Sequence, residues 1–467
     1  MLFNSFSFIG LLLITMIVYY IPRLSKHQVN ILIISSLIFY AWNNVSLVTL
    51  LLTSAGINII TSYFIGTKKT SKPKLLAWFG VGSNLLVLAF FKYAGLISLT
   101  FLKDNSISEF LVSIPLPIGI SFFTFQGISL VVDVYKENHF KNDKIVSKSF
   151  IVHTKNTLFF ISFFPQLVAG PIVKSHEFLP QIKRKRFNEI SWEKCFSEIV
   201  LGYFLKMVVA DNLKDFTFWI AYPYFQGRDS YSLITMLFGF SFQIYADFAG
   251  YSLIAIGVAR LFGYNLKDNF FFPYISSSFK EFWKRWHISL SSFLQEYLYI
   301  PLGGNKKGKT RTYVNLMITM MLGGLWHGAG WSYAVWGGFH GLALAIERFF
   351  MSNKQQNQRI HIRAIKTLFV FFMISLAWLL FKLPEFSHVI EYVKCILQNF
   401  DKYPNIDVIT SILLYSSPVI LHHLYHLYAT NFQSRSIHSL RFAFYGILIF
   451  FILTNSGIPG SFIYFQF

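Results

Sequence analysis

An imidazole set among glycines and tryptophans can take a proton from a hydroxyl at neutral pH, because apolar surroundings disfavour its charged form. His327 has that setting. Gly323, Gly324, Gly328 and Gly330 flank it, with Trp326 and Trp331 alongside, and small residues let backbones or a ligand approach closely. A structural histidine hydrogen-bonded between helices fits the same residues. A second imidazole, His287, follows Trp283 by one helical turn. Phe279, Phe282, Trp283, Trp286, Leu290, Phe293, Leu294 and Tyr297 recur there at helical spacing, with Lys280, Lys284 and Arg285 between them. That pattern predicts an amphipathic helix over 279–300 lying in the cytosolic interface, where a histidine at the margin of the stripe is ordinarily solvated. Asp247 is a third candidate, inside the apolar run 231–263. It lines a polar path or pairs with Arg260 or a neighbouring helix, and pairing is the better reading. Lys92 and His340 pose the same choice. Ionisable groups at membrane depth are costly and so are functional candidates.

The elements that must position these groups are membrane helices. Hydrophobic residues make up 54% of the 467-residue chain and charged residues 13%, about half the charge of an average soluble domain. Mean hydropathy is +0.49. A large soluble domain and a disordered chain are both excluded. The net charge of +20 would suggest nucleic acid in a soluble protein. Here the basic residues cluster between apolar runs, where they orient membrane segments instead. Cys195 and Cys395 are too few for a disulfide framework and lack metal-ligand spacing. Cys195 follows a basic stretch, and an inert thiol is a better reading of it than lipidation. The first 21 residues read as a retained span rather than a cleaved signal.

Apolar runs near 2–21, 29–42, 45–66, 75–100, 110–135, 148–172, 195–213, 231–263, 313–327, 331–347, 364–383, 407–429 and 442–463 are candidate spans. Positive clusters at Arg23 and Lys26, at Lys68 to Lys74 and at Lys136 to Lys148 alternate with uncharged or slightly acidic loops. The alternation puts the N-terminus outside and those clusters in the cytosol. It then breaks twice. Lys183, Arg184, Lys185 and Arg186 also read as cytosolic, with only the run 148–172 before them, and Pro165 and Pro171 interrupt that run. A re-entrant segment fits both facts, since irregular backbone at membrane depth needs protein or a cavity around it. Farther on, Lys306, Lys307, Lys309 and Arg311 and the basic stretch from Arg348 to Lys366 share the cytosolic sign. The runs 313–327 and 331–347 between them are each about 24 Å long as helices. They predict a short hairpin with His327 near its tip. The chain reads as one domain over 1–467, without internal repeats. It carries no phosphate-binding loop, dinucleotide fingerprint, Gly-x-Ser-x-Gly elbow or His-Glu-x-x-His, which argues against a nucleotide-driven pump.

Several stretches together resemble the membrane-bound O-acyltransferase family. They are Trp283 to Ser291, Tyr297 to Asn305 and Leu322 to Gly328, with Leu116 to Gln126, Pro165 to Pro171, Tyr245 to Ser252 and the terminal Phe462 to Phe467 in support. The likeness runs over essentially the whole chain, is densest over 240–345, and is nearest to the bacterial branch of alginate and peptidoglycan O-acetyltransferases. It implies an all-α polytopic membrane protein: a ring of about 11 spans with re-entrant or short helices, an interfacial helix and a central tunnel at the catalytic histidine. His287 and His327, 40 positions apart, match the family's two polar residues.

The resemblance implies transfer of an acetyl group from a cytosolic thioester, acetyl-CoA, across the inner membrane for O-acetylation of an exported polysaccharide. His327 would be the base and His287 would orient the donor or stabilise charge. Trp283, Lys284, Arg285, Lys306 and Lys307 would contact the donor, and Asp247 would tune the polar path. No metal or permanently bound cofactor is implied, because a thioester is already activated. The implied partners are a periplasmic or membrane-anchored SGNH-like serine esterase subunit, the polysaccharide and lipids, with no nucleic acid. Leu253 and Gln295-Glu296 depart from the alginate-type pattern and leave the acceptor open, while the richness of the chain in Phe, Ile, Lys and Asn favours peptidoglycan or another exported glycan over alginate. D-alanyl transfer to teichoic acid and a lipid-linked glycan flippase are the rival readings.

Overall fold

The structure, a computed structural model, describes residues 1–102, 106–136, 145–168, 170–350, 359–431, 441–460 and 462–463. Parts of the loops whose charge is read above, 103–105, 137–144 and 351–358, and the terminal Tyr464 to Phe467 lie outside the described residues. The described residues are helical, without strands. Five helices among them are long and apolar enough to cross a membrane: Ser46–Gly66, Pro73–Ser98, Ser230–Leu261, Ile360–Lys382 and Ile406–Tyr428. A sixth span exists if Phe6–Tyr20 and Pro22–Ala41, bent by 101°, form one broken crossing. The runs 2–21 and 29–42, expected as two spans, are this bent pair, with Pro22 opening the second piece. Other apolar runs form shorter helices, such as Ile120–Tyr135 and Arg441–Thr454.

The chain forms two compact units, residues 1–199 with 253–267 and residues 200–252 with 268–467. In the first, polar side chains join apolar helices. Asn58 and Asn84 exchange amide hydrogen bonds of 3.2 and 2.8 Å between Ser46–Gly66 and Pro73–Phe101. Among lipid-facing helices such contacts replace the hydrophobic drive that water would supply. The run 148–172 is not one helix. Phe150–Ser162 spans 13 residues, about 20 Å, and a four-residue helix, Phe164–Leu167, follows the break at Phe163. Side chains satisfy the broken backbone. Gln126 and Gln166 both donate to the Phe160 carbonyl, at 2.9 and 2.7 Å, and the Phe164 N–H donates to Ser36 Oγ at 3.1 Å. Cys195 is buried against Ile190 and Leu261, out of reach of a lipidating enzyme.

The second unit holds the histidines. The hairpin helices are Lys309–His327 and Trp331–Phe350, 19 and 20 residues long, longer than the apolar runs because polar and basic residues extend both. Glycines set how closely they approach. A Cβ on Gly337 would collide with the Met320 carbonyl oxygen, and one on Gly324 with that of Tyr333.

The amphipathic stripe is not one helix either. Phe279–Arg285 ends, Trp286 is extended, His287 adopts left-handed backbone (φ 44°, ψ 54°), and Ile288–Leu294 begins anew. Gln295–Tyr299 then widens into π-helical turns. Ser278 caps the first piece by accepting from the Glu281 N–H at 3.0 Å. The Glu347 carboxylate takes the Phe279 N–H at 2.6 Å, an anion placed where a helix N-terminus favours one.

Candidate active site

His287 is 0% exposed and His327 is 3% exposed. The expectation of a solvated interfacial His287 is therefore wrong. The break at Trp286-His287 turns the imidazole away from the helix surface. Left-handed backbone on a non-glycine residue costs about 1–2 kcal/mol, and neighbouring hydrogen bonds hold it. The Ile288 N–H donates to the Asn269 carbonyl at 2.9 Å, the Ser291 N–H to the His287 carbonyl at 3.0 Å and the Phe271 N–H to the Arg285 carbonyl at 2.9 Å. A continuous 3.6-residue pattern gives no sign of this break, because the apolar residues keep their spacing through it.

The two imidazoles come together, with ring centroids 6.1 Å apart. His327 is the last residue of its hairpin helix. Trp336 and Phe381 pack edge-on to it, at 5.3 and 5.1 Å, and Phe248 packs edge-on to His287 at 4.6 Å. Burial pushes the His287 imidazole down to about 3, so it is neutral at physiological pH. Beside it, Asn269 Oδ1 lies 3.3 Å from His287 Nδ1. Sequence reasoning passed over Asn269, an uncharged residue in a loop with no periodicity to mark it.

The expected donor residues divide. Lys284, Lys306 and Lys307 are exposed. Arg285 is engaged by Glu281 at 2.9 Å and by the Phe271 carbonyl at 3.2 Å. The Trp283 indole donates to His340 Nδ1 at 3.3 Å, which also accounts for His340 as a partner within the aromatic shell.

Asp247 is paired, though not with Arg260, which takes Glu198 instead. Its partner is Lys206, at 2.7 Å, and the same ammonium lies 2.6 Å from Asp211. Lys206 sits in π-helical turns over Phe204–Ala210. Opposite it, a Cβ on Gly250 would lie 2.9 Å from the Lys206 backbone nitrogen. The C-terminal segment closes the group. The Ile463 N–H donates to Asp247 Oδ2 at 2.7 Å, and the Gly460 N–H to Asp211 Oδ1 at 3.3 Å. Lys206 and Asp211 lie inside the apolar run 195–213, so the rule that picked out Asp247 would have found them.

This arrangement, two buried imidazoles in an aromatic shell, suits proton transfer to and from an oxygen or a thiol. The sequence profile of the membrane-bound O-acyltransferase family matches residues 18–383. The chain belongs to that family. It is an acyltransferase and a polytopic helical membrane protein. Among similar family members, "Probable alginate O-acetylase AlgI" of Pseudomonas putida is 35% identical over 402 residues, 83% of this chain and 78% of its own. The "Peptidoglycan O-acetyltransferase" of Helicobacter pylori is 35% identical over 393 residues, 78% of this chain and 72% of its own. The "Teichoic acid D-alanyltransferase" of Streptococcus thermophilus is 31% identical over 261 residues, 51% of this chain and 58% of its own. A flippase reading has no support from these relatives.

Proposed function

We propose that this acyltransferase moves an acetyl group from a cytosolic thioester, acetyl-CoA, toward O-acetylation of a cell-envelope polysaccharide, with peptidoglycan favoured over alginate. The juxtaposition of His287 and His327, rings 6.1 Å apart, carries the reading. His327 is the base. It accepts the proton of the acceptor hydroxyl as that oxygen attacks the thioester carbonyl. The C–S bond of the tetrahedral intermediate then breaks, and the departing sulfur takes the proton from the imidazolium. The products are an ester and a thiol, and the imidazole is neutral again. His287 orients the donor or stabilises charge on the carbonyl oxygen. The thioester is already activated, so the step requires no metal.

Lys284, Lys306 and Lys307 draw in the donor phosphates, while Trp283 and Arg285 act through the contacts described above. Asp247 acts by its pairing with Lys206, which holds Phe248, its neighbour in sequence, against His287. The enzyme lies in the bacterial inner membrane with its N-terminus periplasmic. A separate SGNH-like serine subunit receives the acetyl group and places it on the glycan. The two O-acetylating relatives cover about four-fifths of the chain and the D-alanyl relative half of it, which favours acetyl over D-alanyl. Purified protein in lipid nanodiscs tests the donor. Release of coenzyme A from acetyl-CoA on addition of an acceptor supports the reading. Turnover of a D-alanyl carrier protein with none of acetyl-CoA overturns it.

A further inference from the structure

We infer that Asn269 is a positioning residue that fixes the proton of His287 on Nδ1, so that Nε2 is the hydrogen-bond acceptor of that ring. The inference deepens the acetyl-transfer reading and rests on it for the catalytic consequence alone. Asn269, His287, Ser289 and Ser252 are all buried, none more than 2% exposed. Three contacts set the orientation of the Asn269 amide. The Ser289 backbone N–H, which can only donate, points at Oδ1 from 3.4 Å, and Ser289 Oγ lies 2.6 Å from the same oxygen. The amide nitrogen donates to Ser252 Oγ at 3.0 Å. Reversing the amide would set its N–H₂ against the Ser289 N–H, two donors face to face. Oδ1 therefore also faces His287 Nδ1, 3.3 Å away. A ring nitrogen within hydrogen-bond reach of a carbonyl oxygen carries the hydrogen, and in a neutral imidazole the other nitrogen then holds the lone pair. Burial keeps this ring neutral.

The tautomer decides between the two roles open to His287. A neutral imidazole with its lone pair on Nε2 cannot donate through Nε2 to a carbonyl oxygen that is gaining negative charge. It can accept an N–H or O–H from a substrate. The geometry thus points to His287 as an orienting acceptor, for an amide N–H of the donor arm or for the acceptor hydroxyl, and leaves base chemistry to His327.

Ring-¹⁵N-histidine NMR of the full chain in nanodiscs tests this, with the His287 signals assigned by their loss in His287→Gln. The expected spectrum shows a protonated Nδ1 and an unprotonated Nε2. The reverse pattern in the wild-type protein overturns the inference without any variant having to fold. Asn269→Ala should mix the two tautomers and lower kcat roughly 10- to 100-fold, the scale of a misplaced reacting group. Asn269→Asp retains an acceptor facing Nδ1 and should keep the proton there and recover part of kcat. An Asn269→Ala protein with unchanged tautomer and kcat overturns the positioning role. Mixed tautomers with unchanged kcat would confirm the positioning and overturn the role given to His287, a result that wild-type turnover by His287→Ala would share.

Discussion

Two buried polar groups in the second unit share the long helix Ser230–Leu261, and they are built on opposite principles. Asp247 takes part in a charge cluster with Lys206 and Asp211, each carboxylate also receiving a backbone N–H from the C-terminal segment. The next residue, Phe248, packs on His287, where two imidazoles lie among rings. Burying an ion without a partner is very costly, so the two carboxylates and the ammonium are held on one another. A neutral imidazole can be buried at far lower cost and still exchange a proton. The contrast teaches that burial of an ionisable residue does not by itself mark a reactive site. What surrounds the residue separates structural from chemical use.

Substitution on the two sides should break in different ways. The largest effect expected is on chemistry. His327→Ala removes the base, and acetyl transfer should fall by a factor of about 10²–10⁴, with membrane abundance and thermal midpoint near wild type. Activity is read as coenzyme A release. Near-normal turnover would place the base elsewhere. Lys206→Met should do the reverse. It leaves two carboxylates buried without their cation, a loss of about 3–5 kcal/mol, read as reduced abundance and a lower thermal midpoint. Adding Asp211→Asn and Asp247→Asn removes the stranded charges, and much of the stability should return. If the triple variant stays as unstable as Lys206→Met, the cluster is not an electrostatic unit.

Much of this was legible in the sequence, for reasons that differ by residue. Long apolar runs and basic clusters identify a membrane protein because the bilayer imposes length and sign. His327 stood out because the glycines that allow the hairpin to close also mark it. The break of 148–172 was visible in Pro165 and Pro171, since proline removes a backbone donor. What escaped was conformation that leaves apolar spacing intact. The left-handed turn at His287 interrupts a helix without disturbing its stripe, and its supports, Asn269 and Ser252, are ordinary polar residues before folding. For Asp247 the sequence offers pairing with Arg260 or with a neighbouring helix, and folding supplies the second, in Lys206.

The comparison sharpens further with pH. The His287 imidazole is pushed from 6.5 down to about 3 by burial, so between those values the unfolded chain binds a proton that the folded chain does not. Stability is then full above about pH 6.5 and declines as the pH falls toward 3. At pH 5 the loss from this group is about 2 kcal/mol, from roughly 1.4 kcal/mol per pH unit. His287→Gln should therefore show a shallower decline of thermal midpoint between pH 7 and pH 5 than the wild type. Parallel declines would mean that His287 titrates normally in the fold and is not held neutral by burial.

The smallest effect expected lies on the surface, where a third kind of lysine stands against both buried groups. Lys306 and Lys307 are exposed in the loop that precedes the hairpin helix Lys309–His327. They have no need of burial energy, and an exposed positive loop can attract a polyphosphate ligand without a shaped pocket. The same charges also satisfy the positive-inside preference, so charge alone does not separate the two uses. Replacing both with glutamine leaves Lys309 and Arg311 in place, and orientation should survive. If the loop gathers donor, the KM for acetyl-CoA should rise by a few-fold while kcat holds, since the interaction lost is made equally in ground and transition states. The difference from wild type should shrink as salt screens exposed charges. A KM that does not move at low salt would assign the loop to orientation alone. It would leave Lys284 and Lys280, both exposed on the first piece of the broken helix, as the cations to test next, because Arg285 is already engaged by Glu281.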